Sequence, residues 1–144
     1  EFLKGVLDVL KQEGYSLSGW KGVAAGDVPI GAGLSSSAAF ELAIARAFTS
    51  VGNWEWQPLE MARFCQRAEN EWVGMNCGIM DQTISALGKS KHALFLDCRN
   101  LEAKQVLLPD KLDIAVMDTG TRHKLIDTAY IERRNQCEEA AAFF

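Results

Sequence analysis

PIGAGLSSSAAF, residues 29–40, holds glycines at 31 and 33, serines at 35, 36 and 37, and then turns apolar. A flexible linker does not run straight into a strongly apolar helix, so the stretch reads as a loop feeding a helix start. Two readings of that loop stay open. Serines at a helix start serve as ordinary N-caps. Alternatively, Gly31 and Gly33 let the backbone approach a ligand closely, while Ser35, Ser36 and Ser37 offer hydroxyls and unpaired N–H groups. The helix dipole would add partial positive charge there, and the whole would hold phosphate without a lysine. No Gly-Lys-Ser/Thr comes after it, which excludes a Walker A loop, and the glycine spacing is not that of a dinucleotide fingerprint.

The next helix spans about 37–51 and is apolar almost all round. Only Glu41 and Arg46 interrupt it before Thr49, a pattern typical of a helix buried inside a domain. Upstream, Phe2, Val6, Val9 and Leu10 form one stripe of a helix over 2–13, and Gly14 ends it. Residues 18–28 read as a strand weakened by glycines. Downstream, Pro58 fits the first position of a helix reaching about Val73, with Glu60 in its first turn and Met61, Cys65, Ala68 and Trp72 along one face. Gly74–Gly78 breaks that pattern, and a short helix runs on to Leu87. Residues 92–98 and 103–109 flank a turn and predict a hairpin, 112–120 a third strand, and the stretch from about Lys124 a closing helix. Segregated helices and hairpin strands indicate an α+β fold rather than repeated βαβ units.

With 144 residues, 48% hydrophobic and 24% charged, the chain is long enough for one domain with a sizeable core. The net charge of −4 leaves no electrostatic footprint for nucleic acid and no basic cluster for a membrane surface. No apolar run approaches the ~18 residues of a membrane span, and no signal peptide is visible. Cys65, Cys77, Cys98 and Cys137 form no CxxC pair and read as free, mostly buried thiols of a cytoplasmic protein. His92 and His123 are the only histidines, too few to suggest a zinc site. The chain opens without Met and stops inside a helical run, so it reads as an internal fragment of a longer protein.

Further charged or polar positions stand out beyond the loop. Glu69 lies beside the apolar stripe of its helix, where a carboxylate needs a cation or several hydrogen bonds; a salt bridge, with Arg67 near in sequence, is the simpler alternative. Asp81 falls in the first turn of the short helix after Cys77-Gly78. It reads either as ordinary dipole stabilisation or as a catalytic carboxylate held beside a glycine that leaves room for substrate. Arg122 and His123 come after a strand-ending Asp-Thr-Gly, a common place for ligand contacts, although a solvated basic cluster explains them too. Helix packing is the default for Tyr130.

Taken together these segments resemble one family. PIGAGLSSSAA is similar to the second signature motif of the GHMP small-molecule kinases. AENEWVGMNCGIMDQ at 68–82, HALFLDCRNLE at 92–102 and DTGTRHKLIDTAYIERRNQCEEAA at 118–141 resemble, in order, the galactokinase branch of that family. The resemblance implies the superfamily's α+β N-terminal domain, similar to the second domain of ribosomal protein S5 and incomplete at both ends, over 1–120. Residues 121–144 would begin the C-terminal half. It further implies ATP and Mg2+ as cofactors and galactose as the sugar phosphorylated, at its anomeric hydroxyl. Gly31, Ala32, Gly33, Leu34, Ser35, Ser36 and Ser37 would surround the ATP phosphates. Ser37 and Glu69 would be the magnesium ligands. Asp81 would be catalytic and touch the sugar, with Gly78 and Tyr130 also contacting it.

Thr83 departs from the family pattern, which often places an aromatic after the Asp-Gln pair. A segment carrying an arginine and further sugar-binding residues would precede Glu1, and a glycine-rich third motif would come after Phe144, so the fragment alone is expected to be inactive. A kinase for a related sugar such as N-acetylgalactosamine, arabinose or galacturonate, and a non-catalytic galactose sensor, are the alternatives. The intact SSSAA stretch favours an enzyme over a sensor. An incomplete domain is also expected to expose apolar surface and to be weakly stable or self-associating.

Overall fold

The computed structural model describes residues 1–117, 120 and 128–144, with side chains described from 131 onward in the final helix. Helices α1 (Phe2–Gln12), α2 (Ser36–Gly52) and α3 (Pro58–Ala68) come first. A π-helical turn, Glu69–Val73, continues α3, and α4 (Met80–Leu87) comes next. Strands β1 (His92–Asp97) and β2 (Glu102–Leu107) form an antiparallel hairpin with His92 opposite Leu107 and Asp97 opposite Glu102. Helix α5 (Thr128–Phe143) closes the chain.

The apolar spacing of α1 buries Val6, Val9 and Leu10 completely. Its end is set by Gly14, whose φ of +86° suits the left-handed conformation after a helix, and Tyr15 N–H turns back to the Leu10 carbonyl. The core joins these residues to Leu42, Ile44, Ala45 and Phe48 of α2 and to Met61, Cys65 and Ala68 of α3. Tyr15 closes one side, edge-on to Trp54 at 4.8 Å and to Phe64 at 6.1 Å. Removing Leu10 to Ala from such a core costs about 2–5 kcal/mol. Helix α4 packs on both α2 and α3, and Gln105 of β2 donates to the Leu87 carbonyl at 2.7 Å, tying the hairpin to its end.

Several sequence expectations are corrected. Residues 18–28 form no strand and lie largely exposed, although Trp20 packs edge-on to Phe48 at 5.6 Å. Residues 112–117 form no strand either, and Ile114, Val116 and Met117 are exposed. A strand needs a hydrogen-bonding neighbour, and among the described residues β1 and β2 pair only with each other. The glycines at 19, 22 and 26 weaken the first segment further.

Trp72 leaves the buried face on which its spacing put it. The π turn places one more residue in each turn than an α-helix would, so the residues along it are rotated out of α-helical register. Trp72 is 41% exposed, and its indole N–H reaches Asp8 Oδ2 at 3.2 Å. All four cysteines are free, but Cys98 and Cys137 are exposed rather than buried. Arg122, His123 and Lys124 lie outside the described residues, as do the side chain of Tyr130 and most of the Asp-Thr-Gly turn. The expected apolar surface is present: Val23, Ile30, Phe95, Leu107 and Met117 are all exposed.

Candidate active site

The loop 29–35 arrives at α2 through three positive-φ residues, Gly31 at +71°, Gly33 at +74° and Ser35 at +56°. An extra Cβ at Gly33 would meet nothing within 4 Å, so backbone conformation rather than crowding demands glycine there. Ser35 stands at the N-cap in the left-handed region and makes no side-chain cap bond to the first turn. The ordinary N-cap arrangement, an extended residue whose side chain accepts from the first turn, is therefore not the one formed. The first-turn N–H groups of α2 and the half-buried serines at 35–37 stay uncommitted to capping. That is the equipment of an anion site at a helix start.

Glu69 begins the π turn and is 3% exposed. Its Oε2 accepts from Gln82 Nε2 at 2.7 Å and lies 3.5 Å from the Cys77 thiol. Both contacts fall on one oxygen, which leaves Oε1 for a cation or a further donor. The salt-bridge alternative is not realised: Arg67 turns outward to Glu13, to Gln12 Oε1 at 2.7 Å and to Glu71 at 3.6 Å. A π turn at such a residue is a frequent mark of function, because it aims one side chain away from regular helical register.

Residues 74–78 wrap around Glu69 and are pinned from several sides. Cys77 N–H donates to Asn70 Oδ1 at 2.9 Å, Gln66 Nε2 donates to the Cys77 carbonyl at 3.0 Å, and Arg134 of α5 donates to the Asn76 carbonyl at 2.8 Å. Burial, then the nearby Glu69 charge and its hydrogen bond, push the Cys77 thiol up to about 12. Gly78 borders open space where a side chain would stand. Asp81 sits in the first turn of α4, half-buried and without a hydrogen bond or ion pair. The next two residues are fully buried, and Thr83 bonds back to the Ile79 carbonyl at 2.8 Å, fixing the first turn.

Sequence reasoning missed Glu41 and Gln82. Glu41 is fully buried on α2, one turn after Ser37, and neither carboxyl oxygen has a hydrogen-bond partner. Burial first, and then the Glu69 charge, raise its pKa to about 8, with the Gln82 amide opposing the shift. Gln82 comes close enough to act on the Glu41 carboxyl while standing outside hydrogen-bond geometry, and its own Oε1 is likewise unpaired. The signal available in the sequence was the spacing: a carboxylate at i+4 from the last loop serine, inside an otherwise apolar helix.

The residues present suit magnesium in kind. Glu69 has a free oxygen, the Ser37 hydroxyl is uncommitted, and magnesium takes oxygen ligands while keeping several waters. Among the described residues no group of three or more His, Cys, Asp or Glu side chains gathers to cage a metal, and no helix is long and apolar enough to cross a membrane.

Comparison with known proteins identifies the family and the fold. Residues 1–89 match the GHMP kinases N terminal domain. The structure is similar to that of a galactokinase from Lactococcus lactis solved in complex with galactose, with a TM-score of 0.77 and 29% sequence identity. The match covers 96% of this chain and 36% of that one, so the chain spans little more than a third of its relative. With the family domain matched over more than half its length, this chain belongs to the GHMP kinases, a family of phosphotransferases.

Proposed function

We propose that the protein containing this chain transfers the γ-phosphoryl group of ATP to a sugar, with galactose as acceptor and its anomeric hydroxyl as nucleophile. The observation that carries the reading is the packing of α2, of α3 with its π turn, and of α4 into one unit. That unit carries an uncapped helix start, a buried carboxylate with one free oxygen and an uncommitted aspartate. The likeness to a galactokinase solved with galactose supports the choice of sugar.

Phosphoryl transfer asks for positioning and charge stabilisation more than covalent help. In this reading the backbone of 31–37 and the start of α2 bind the ATP phosphates. Ser37 and Glu69 hold magnesium, which when bound offsets charge on the phosphate oxygens. Asp81 orients the sugar hydroxyl and takes its proton. Gly78 leaves the sugar room, and Tyr130 contacts it, as the resemblance implies. Residues 1–120 belong to the ATP- and sugar-binding domain and 121–144 begin the next half.

The test is ATP-dependent phosphorylation by the longest reading frame that contains this chain. The panel is galactose, N-acetylgalactosamine, arabinose and galacturonate. Galactose 1-phosphate as the main product supports the reading. Preference for another sugar replaces the substrate, and sugar binding without turnover makes the protein a sensor.

A further inference from the structure

We propose that Gln82 is a positioning residue whose buried amide joins the Glu41 carboxyl to the Glu69 carboxylate, so that Glu69 presents its free oxygen in one fixed orientation. The proposal rests on the reading of Glu69 as a metal ligand. Its physical basis is a set of buried polar atoms that a single proton on Glu41 would largely reconcile. Gln82 and Glu41 are both fully buried, and Gln82 Nε2 already donates to Glu69 Oε2 at 2.7 Å. Three oxygens beside it have no partner: Oε1 of Gln82 and both carboxyl oxygens of Glu41. An unpaired buried polar atom carries a desolvation cost that a small side-chain rotation would remove.

A carbonyl oxygen and an ionised carboxylate are both acceptors and cannot satisfy each other. A carboxyl that keeps its proton can donate to Gln82 Oε1. Burial and the neighbouring Glu69 charge favour that neutral form of Glu41 and outweigh the Gln82 amide, which in its present orientation opposes it. The chain then runs from Glu41 O–H to Gln82 Oε1, and from Gln82 Nε2–H to Glu69 Oε2. The alternative orientation of the amide would point an acceptor at the Glu69 carboxylate, and Glu41 selects against it. Glu41 stands one turn along α2 from Ser37, and Gln82 adjoins Asp81, so the same three side chains cross-link the elements bearing the candidate ligand, phosphate and acceptor residues.

The experiment measures Mn2+ binding in the presence of ADP, by water-proton relaxation, in the longest reading frame containing this chain. Thermal melts are run on each variant. Gln82→Leu is expected to keep the fold and to weaken Mn2+ binding about ten- to hundredfold. Glu41→Gln keeps a donor and is expected to bind like the parent, whereas Glu41→Met loses it and weakens binding. A folded Gln82→Leu with parental Mn2+ affinity overturns the proposal. If Gln82→Leu does not fold, the Glu41 pair decides: equal affinities in Glu41→Gln and Glu41→Met overturn it, and a difference in the stated direction supports it. Glu69→Gln separates the two layers. Loss of Mn2+ binding there without loss in Gln82→Leu sinks only the positioning role, while unchanged binding in Glu69→Gln removes the metal-ligand reading itself.

Discussion

The Cys77 thiol lies 3.5 Å from Glu69 Oε2, the same oxygen that accepts the Gln82 amide. An anion that close opposes a second negative charge, and it is the largest cause after burial of the raised thiol pKa, about 12. At pH 8 Cys77 is therefore almost wholly thiol and slow to alkylate. Glu69→Gln removes the charge, lowers the pKa and is expected to speed alkylation of Cys77 by iodoacetamide, by up to about tenfold for each pKa unit lost. Peptide mass spectrometry after timed labelling reads this, with exposed Cys98 and Cys137 as internal references. An unchanged Cys77 rate in a folded variant would mean that Glu69 does not govern the thiol.

Glu41 gives the stability a pH dependence of known sign. Its folded pKa, about 8, stands above its ordinary 4.5, because burial and the charge of Glu69 disfavour ionisation. The buried groups around it are Glu69, Gln82, Cys65 and, half-buried, Cys77. The folded state thus holds a proton that the unfolded chain releases. The stabilisation is full below the unfolded value and is lost as pH rises toward 8, at up to about 1.4 kcal/mol per pH unit. Urea unfolding of the parent should show stability falling between pH 5 and 8 relative to Glu41→Gln, which cannot ionise. Parallel curves for the two proteins across that range would contradict it.

Much of this was legible in sequence because periodicity reports burial directly. The spacing of Val6, Val9 and Leu10, Pro58 at a helix start, and the alternation in 92–107 each led to the element that forms. Residues 18–28 and 112–117 carry strand-like composition, but strand formation depends on a neighbour that no local pattern supplies. Trp72 fell off its face because a π turn changes the period partway along a helix, and composition does not announce that. Ser37, Glu69 and Asp81 could be singled out from loop chemistry, apolar context and resemblance. Glu41 offered only its spacing from Ser37 and Gln82 offered no signal at all, since a buried glutamate and a buried glutamine gain their meaning from each other across α2 and α4.

Asp81 is expected to be dispensable for folding. It is half-buried and makes no hydrogen bond or ion pair, so Asp81→Ala removes little beyond a favourable first-turn charge, worth about 0.3–1 kcal/mol. Catalysis should suffer far more: loss of a general base costs about 10²–10⁴ in kcat. ATP affinity, measured by calorimetry, should stay near the parent value. Phosphorylation near the parental rate would remove Asp81 from the reaction.

Gly33 tests the loop. Its φ of +74° costs an L-residue about 1–2 kcal/mol, while the space around a Cβ is open. Gly33→Ala should lower stability by about that amount or reshape the loop, and either way weaken ATP binding. Gly78→Ala, where no positive φ applies and space is also open, should leave stability unchanged. Chemical unfolding of both variants distinguishes backbone strain from crowding. Equal stabilities would argue that the loop relaxes without cost.

Arg134 ties α5 to the loop around Glu69. Among the described side chains of α5 it alone bonds outside its helix, donating to the Asn76 carbonyl at 2.8 Å while also pairing with Glu138 at 2.9 Å. The bond holds a loop carbonyl one residue before Cys77, so it steadies the segment that encloses Glu69. Arg134→Ala should leave the core of α1, α2 and α3 untouched, because the described residues of α5 do not pack on those helices. Amide exchange at 75–78 should quicken, whereas exchange at Val9, Leu42 and Met61 should not. Arg134→Lys, a point donor in place of a planar fork, should lie between the two. Unchanged exchange at 75–78 in Arg134→Ala would show that Asn70 and Gln66 hold the loop without help from α5.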